Sequence, residues 1–373
     1  MEADHDIKTI RINMMTDEIY LKLAEILDYL PNGFPRTESG VEIKLLKKIF
    51  TPDEAELFCD MKMAKETAAE ISRRTGRPLQ GLDEKLSAMW WKGQIECDPT
   101  GEEKRYNLVP WVVGIFEFQV GNMDEEFARL HVEYIKTAGL FFMKKKPQVM
   151  QVLPIEKEVP DHNEALPFAR VSALIEKSQS FAVNECICKK QSGLIGRGCA
   201  KPREVCLLIA EKPGFYDNHP MAGRLITREE ARDILNRAEE AGLVHMTANV
   251  QEGHWFICNC CGCCCSQLLA ARFGWKGAVN SRYFARIDAS LCTNCGLCSE
   301  TRCQVKAIDA VEGHRAVNEE KCIGCGLCVS TCPSGAVTLI HKSAERIIEP
   351  PRDEKEWYSI KARNEKKDIS KFE

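Results

Sequence analysis

"CTNCGLCSETRCQ", residues 292–304, and "CIGCGLCVSTCP", residues 322–333, are two versions of one phrase. Each sets three cysteines at intervals of three and adds a fourth: Cys292, Cys295, Cys298 and Cys303, then Cys322, Cys325, Cys328 and Cys332. The first cysteines stand 30 residues apart and the continuations "CQVKAIDA" and "CPSGAVTL" are alike, which marks an internal duplication. The chain has 20 cysteines, 18 of them between Cys186 and Cys332. Such density in an exported protein would mean disulfides, but "MEADHDIKTI" is an acidic start with no apolar core after it, so metal ligation is the better reading. Adjacent cysteines also resist pairing with each other because their side chains diverge.

The duplicated runs resemble the bacterial ferredoxin family, in which two cubane [4Fe-4S] clusters share a small βαββαβ-like unit. A tight CxxCxxC loop brings three thiolates around one cubane, and a distant cysteine closes the fourth corner. The resemblance covers about residues 282–342 and implies crossed ligation. Cys292, Cys295, Cys298 and Cys332 would hold one cluster; Cys322, Cys325, Cys328 and Cys303 the other. Zinc suits these paired runs poorly, since nothing in them favours isolated tetrahedral sites. Gly296, Gly324 and Gly326 are expected to permit close wrapping of the loops and N–H contacts to sulfur. One departure stands out: four residues separate Cys298 from Cys303 where the second run has three, and Gln304 replaces the proline after the fourth cysteine. An altered loop with its ligand retained is the expected result.

Upstream, "ECICKKQSGLIGRGCAKPREVCL" carries Cys186, Cys188, Cys199 and Cys206, a complete thiolate set for one site, with Gly193, Gly196 and Gly198 able to fold the loop back. Iron–sulfur ligation is the leading reading, with zinc or a structural thiol group as alternatives. "ICNCCGCCCS", residues 257–266, then adds Cys258, Cys260, Cys261, Cys263, Cys264 and Cys265. These ten thiols suffice for one or two further clusters, and which of the six are ligands stays open. A substrate-facing dithiol among them is an alternative. Between the two stretches, Thr227 and Glu230 predict a helix start, Gly242 its end, and Ala231, Ile234, Leu235 and Ala238 its buried face. His219, His245 and His254 read as turn, packing or surface residues rather than ligands.

The N-terminal part predicts helices over 17–30 and 41–50 and a third opened by the capping box of Thr51, Pro52 and Glu54. "KETAAEISRRTGRPLQGLDEKLSAMWWKGQIE" and the turn-rich segment after it predict helix, turn, helix and hairpin, an order resembling a winged-helix domain over residues 15–110. Residues 1–150 carry 21 basic against 26 acidic side chains, and the second helix offers Asp83 and Glu84 against Lys85, so DNA is not an expected partner. Met89, Trp90 and Trp91 read as core or interface residues, and Cys59 and Cys97 as ordinary thiols. Lys144, Lys145 and Lys146 open a linker expected to reach Pro160, and a helix is expected from Phe168 to Lys177.

The net charge of −4 and the lack of an 18-residue apolar run predict no nucleic-acid field and no integral membrane segment. "GFPRTESGVEIKLLKKIFTPDEAE", "ECICKK" and "ICNCCGCCC" together resemble a family of multidomain ferredoxin-like proteins from anaerobes, which implies an oxygen-poor cytoplasm. The expected class is α+β and multidomain. It comprises a winged-helix-like docking domain (1–150), a central cysteine-rich α+β region (151–281), a two-cluster ferredoxin domain (282–342) and a charged tail (343–373). The tail is expected to be a mobile extension unless Trp357 and Tyr358 anchor it. No GxGxxG follows a predicted strand and no P-loop is present, so NAD, FAD and ATP are not expected within the chain.

The leading functional expectation is an electron-transfer protein or subunit whose partner carries a flavin or another catalytic cofactor; homo-oligomerisation stays open. The alternatives are an oxidoreductase reducing a disulfide or polysulfide at the central site, and a redox-responsive transcription regulator.

Overall fold

The computed structural model describes residues 17–30, 32–139, 141–159, 167–275 and 278–372. They form two units, one from residues up to 139 with those from 361 onward, the other from residues 141–360.

In the first unit, α1 (17–29) buries Leu23 and Leu27, and Tyr20 donates to the carbonyl of Phe50 at 2.7 Å. Helix α2 (Val41–Ile49) buries Leu45, Leu46 and Ile49. Helix α3 (Pro52–Cys59) starts on the expected capping box: Thr51 Oγ1 accepts from Glu54 N and Glu54 accepts from Thr51 N. Such a box satisfies two otherwise orphaned amides. Helix α4 (Ala68–Thr75) repeats the device with Thr67 and Glu70 and stops at Gly76, whose φ of 74° suits a residue without Cβ. Helix α5 (Leu82–Trp91) leads to a hairpin of β1 (Glu96–Asp98) and β2 (Arg105–Asn107), with Cys97 opposite Tyr106. Helix α6 (Glu125–Tyr134) is capped by Asp124, which accepts from Phe127 N. Met89 and Trp90 are buried and Trp91 is 56% exposed. Burial pushes the thiols of Cys59 and Cys97 up to about 12, as befits unreactive packing residues.

The second unit is built on a seven-stranded sheet. Its strands are β3 (Met150–Leu153), β4 (Ser180–Glu185), β5 (Glu204–Ala210), β6 (Arg224–Leu225), β7 (Val244–Ala248), β8 (Phe256–Cys260) and β9 (Val279–Asn280), in the order β6-β4-β5-β8-β7-β3-β9. All neighbours are antiparallel except β3 and β9. Helix α7 (Val171–Lys177) and helix α9 (Arg228–Glu240) share one core with Phe181, Val183, Val205, Leu207 and Ile257; α8 (Ile187–Leu194) lies between them in the chain. Helix α9 buries the four residues expected of it, and Thr227 caps it by accepting from Glu230 N at 3.2 Å. Helix α10 (Ser266–Arg272) follows the cysteine burst.

The linker expectation needs correction. Met150–Leu153, inside the stretch assigned to it, is a fully buried strand between β7 and β9. Pro147 and Pro154 bracket this short apolar run, and flanking prolines mark the ends of a strand as readily as a linker. Pro160 lies outside the described residues.

Strand β10 (Tyr283–Ile287) pairs with β13 (Val337–His341), and β11 (Ile308–Val311) with β12 (His314–Val317). The duplication is visible as strand, cysteine loop, strand, repeated. The helical part of the first half is a single π turn at Cys298–Arg302, and that of the second is a pair of turns closing on Gly326. The extra residue before Cys303 is thus absorbed as a π turn, a common way of housing one insertion.

The tail is folded. Trp357, on α11 (Glu354–Asn364), is buried and donates from Nε1 to Gln148 O at 2.8 Å, while Gln251 N donates to Pro351 O at 2.9 Å. An indole anchor outweighs the charge that made this stretch read as mobile.

Candidate metal centres

In each C-terminal loop, glycines let the backbone close on the thiols. Gly324 has φ 60°, and a Cβ there would lie 2.2 Å from Tyr283 O. Sulfur receives backbone donors: Ala285 N to Cys322 Sγ at 3.3 Å and Ala307 N to Cys303 Sγ at 3.1 Å. A small pocket, ≈ 20 Å³, is lined by Cys292, Cys295 and Cys298 of the first run with Cys332 of the second. Burial raises Cys322, Cys325 (to about 12) and Cys328, and in all three the nearby Cys303 adds to the rise. Metal must therefore displace protons when it binds. Cys332 moves the other way: burial pulls it up, but the Ser334 hydroxyl and the amides of Ser334, Ala336 and Val337 outweigh that pull. Two repeated sets of thiols, with Cys298 and Cys328 buried and N–H donors aimed at sulfur, suit iron–sulfur clusters.

The ten central thiols come from four places. Cys186 precedes α8 and Cys188 lies in its first turn. The chain then turns back at Gly196, with φ 74° and Arg197 N bonded to Ser192 O, and delivers Cys199. Cys206 lies on β5, Cys258 and Cys260 on β8, and a turn closed by Cys265 N to Cys261 O holds Cys261, Cys263 and Cys264 before Cys265 caps α10. Side chains alternate along a strand. Val205, Leu207 and Ile257 face the helix-covered core, so Cys206, Cys258 and Cys260 share the opposite face, whereas Cys261 and Cys264 belong to the core itself.

Two sets result. Cys199, Cys261, Cys263 and Cys264 bring their Sγ atoms within 4.8 Å of one another. The other six form a chain of neighbours running Cys206, Cys258, Cys260, Cys265, Cys188, Cys186. Cys265 is held well below the ordinary thiol value, first by the thiols of Cys188 and Cys260 and then by the amides of Leu268 and Gln267. The Cys188 thiol, and after it the Lys189 ammonium, lowers Cys186. Lys189 is itself buried and ties the two cysteine segments together, its Nζ donating to Pro202 O at 2.7 Å and Asn259 O at 3.3 Å. Cys199, read in sequence as part of a set with Cys186, Cys188 and Cys206, thus has its close neighbours in the later burst.

The comparisons with known proteins bear on the C-terminal runs. A family model described as a 4Fe-4S dicluster domain matches residues 285–339. This segment is a ferredoxin domain. An uncharacterized ferredoxin of Methanocaldococcus jannaschii is 33% identical over 95 residues, which is 25% of this chain and 56% of that protein. The chain thus spans a little over half the length of the curated relative it matches. No solved structure matches the chain.

The ferredoxin domain touches the central thiols through the residues that depart from its repeat. Gln304 Oε1 accepts from Gly262 N at 3.0 Å, and a Cβ on Gly262 would lie 1.9 Å from Gln304 O. Arg302, in the π turn, donates to the carbonyls of Glu239 and Glu240 at the end of α9. Ile155 N, just past β3, donates to Cys325 O at 3.0 Å. A proline at 304 would have no acceptor for Gly262, so Gln304 was legible as a departure but not as a contact. Lys189 carried no sequence signal separating it from Lys190. His245 bonds Asn259 at 2.5 Å, His254 bonds Thr247 at 3.2 Å and His219 accepts from Met221 N at 3.2 Å, all buried packing roles. Among the described residues no helix is long and apolar enough to cross a membrane.

Proposed function

We propose that this chain is a component of a multi-protein redox system that relays single electrons through its ferredoxin domain and at least one further iron–sulfur centre in the central region. An iron–sulfur electron-transfer role follows from the dicluster domain itself; the central centre and the partners are our extension of it. The observation that carries the reading is the cavity enclosed by three thiols of one run and Cys332 of the other. When bound, the clusters supply one-electron storage at two neighbouring points. The chain's own residues hold the thiolates and direct the amides of Ala285 and Ala307 at sulfur, which favours the more negatively charged state. The six thiols from Cys186 to Cys265 would hold the central centre.

The partner would be a redox protein carrying a flavin or another catalytic cofactor, since the hard chemistry belongs to such a group. The winged-helix-like first unit would serve docking: exposed Trp91 and Leu79 offer apolar surface beside α5, whose first turn is acidic. Reduction of a disulfide or polysulfide would call for two accessible central thiols, and of the ten only Cys263 is exposed. Anaerobic iron and sulfide quantification with an EPR-monitored redox titration tests the relay. About twelve irons and three reducible centres are expected from three cubane-sized clusters. Eight irons with no signal beyond the ferredoxin pair would reject the central centre, and partner-independent turnover of a polysulfide would reject the carrier role.

A further inference from the structure

We propose that Cys199, Cys261, Cys263 and Cys264 hold one tetrahedral metal ion, zinc(II) or a single iron, in a closed four-thiolate site distinct from every iron–sulfur cluster of the chain. The spacing carries the assignment. Cys199 Sγ lies 4.0 Å from Cys261 Sγ, and Cys264 Sγ lies 3.8 Å from Cys199 Sγ and 3.8 Å from Cys263 Sγ. Four thiolates on one ion at ~2.3 Å form a tetrahedron with edges of ~3.8 Å. In a cubane each thiolate binds its own iron, so two thiolates stand apart by two iron–thiolate bonds and an iron–sulfide–iron bridge.

The ferredoxin domain provides an internal control. Among the described residues the four central sulfurs are the one group of three or more candidate ligands lying within 4.8 Å of one another, and neither ferredoxin run forms such a group. The same chain thus sets its dicluster thiols wider and these four at the separation of a shared ion. Cys261 and Cys264 lie in the helix-covered core and Cys199 packs against it, as Cys186 and Cys188 also do, while Cys206, Cys258 and Cys260 point to the other face of the sheet. Four protein ligands leave no open position, the mark of a structural site. The ion would fasten the loop after α8 to the turn around Gly262, and so hold the amide that Gln304 receives.

The assignment does not depend on what the six other thiols bind. Its test is metal and acid-labile sulfide analysis of the anaerobically purified full chain and of Cys199→Ser/Cys264→Ser. The double variant is expected to lose about one metal ion and no sulfide, with the ferredoxin EPR signals unchanged. Loss of about four irons together with about four sulfides would overturn the proposal and make these thiols cubane ligands. Should the variant fail to fold, X-ray absorption at the zinc edge and Mössbauer spectroscopy of the unaltered protein decide. A four-sulfur zinc or a sulfide-free tetrahedral iron supports the site; absence of both overturns it. Absence of a central cluster from the unaltered protein, with this ion present, would reject the preceding reading and leave the present one standing.

Discussion

Two cysteine-rich regions of one unit handle their thiols in opposite ways. The ferredoxin domain gathers Cys292, Cys295 and Cys298 of one loop and Cys332 of the other around one small pocket and lines up backbone donors to sulfur at Cys303 and Cys322. The central region draws Cys199 to a turn more than sixty residues later and brings four sulfurs within 4.8 Å of one another. Regular spacing suits a bulky shared body, whereas clustered cysteines on a tight turn suit a single ion. Gln304, which breaks the repeat, is among the residues that join the two.

The largest test of this contrast is ligand removal. Cys325→Ala should cost the protein about four irons and four sulfides while the other ferredoxin cluster keeps its EPR signal; loss of a single iron would make the two regions alike. Next comes the junction. Gly262→Ala would put a methyl 1.9 Å from a backbone oxygen that cannot swing away. Anaerobic denaturation should show a loss of about 3 kcal/mol or more, the upper range for overpacking. Gly313→Ala is the control: φ is 78° but nothing lies within 4 Å, and only the strain of about 1 kcal/mol should appear. Equal effects would mean that the junction is loose.

Acid should act through His254. Burial lowers its pKa from 6.5 to about 4, so the unfolded chain takes up the proton more readily than the folded one. Stability is unaffected above about pH 6.5 and falls as pH drops toward 4, by about 3 kcal/mol in all. His254→Gln should flatten that limb in a pH series of unfolding midpoints, while thiolate ligation stays acid-sensitive in both proteins. An unchanged limb would assign the acid response to the thiols and to His245, whose pKa burial also lowers. The smallest effect is expected from Gln304→Ala, which takes the side-chain acceptor from Gly262 N at about 1 kcal/mol. Iron and sulfide content should not move; if either falls, the contact supports a ligand directly.

Much of the local structure was readable. Capping at Thr51 and Thr227 and the buried stripe of α9 follow from short-range patterns that tertiary contacts reinforce. The helix, turn, helix and hairpin of the first unit were readable for the same reason, from Gly76 and the polar turn between β1 and β2. What escaped were long-range partners. Strand β3 hid in a supposed linker because a four-residue stretch near prolines, apolar but for Gln151, has no period of its own, and the folded tail hid behind its charge.

The sequence alone determined that this protein has a two-cluster ferredoxin domain, because ligand spacing within a loop is a local property that a repeat makes unmistakable. It also marked a second thiol-rich stretch, Cys186 to Cys265, as a candidate centre. Only the tertiary structure decided how that centre's thiols are shared out. Strand alternation sends Cys206, Cys258 and Cys260 to one face, and the return at Gly196 carries Cys199 to the other set. Neither face nor neighbour is written in spacing: they arise when β5 and β8 pair, and that pairing is bought by the apolar core beneath them.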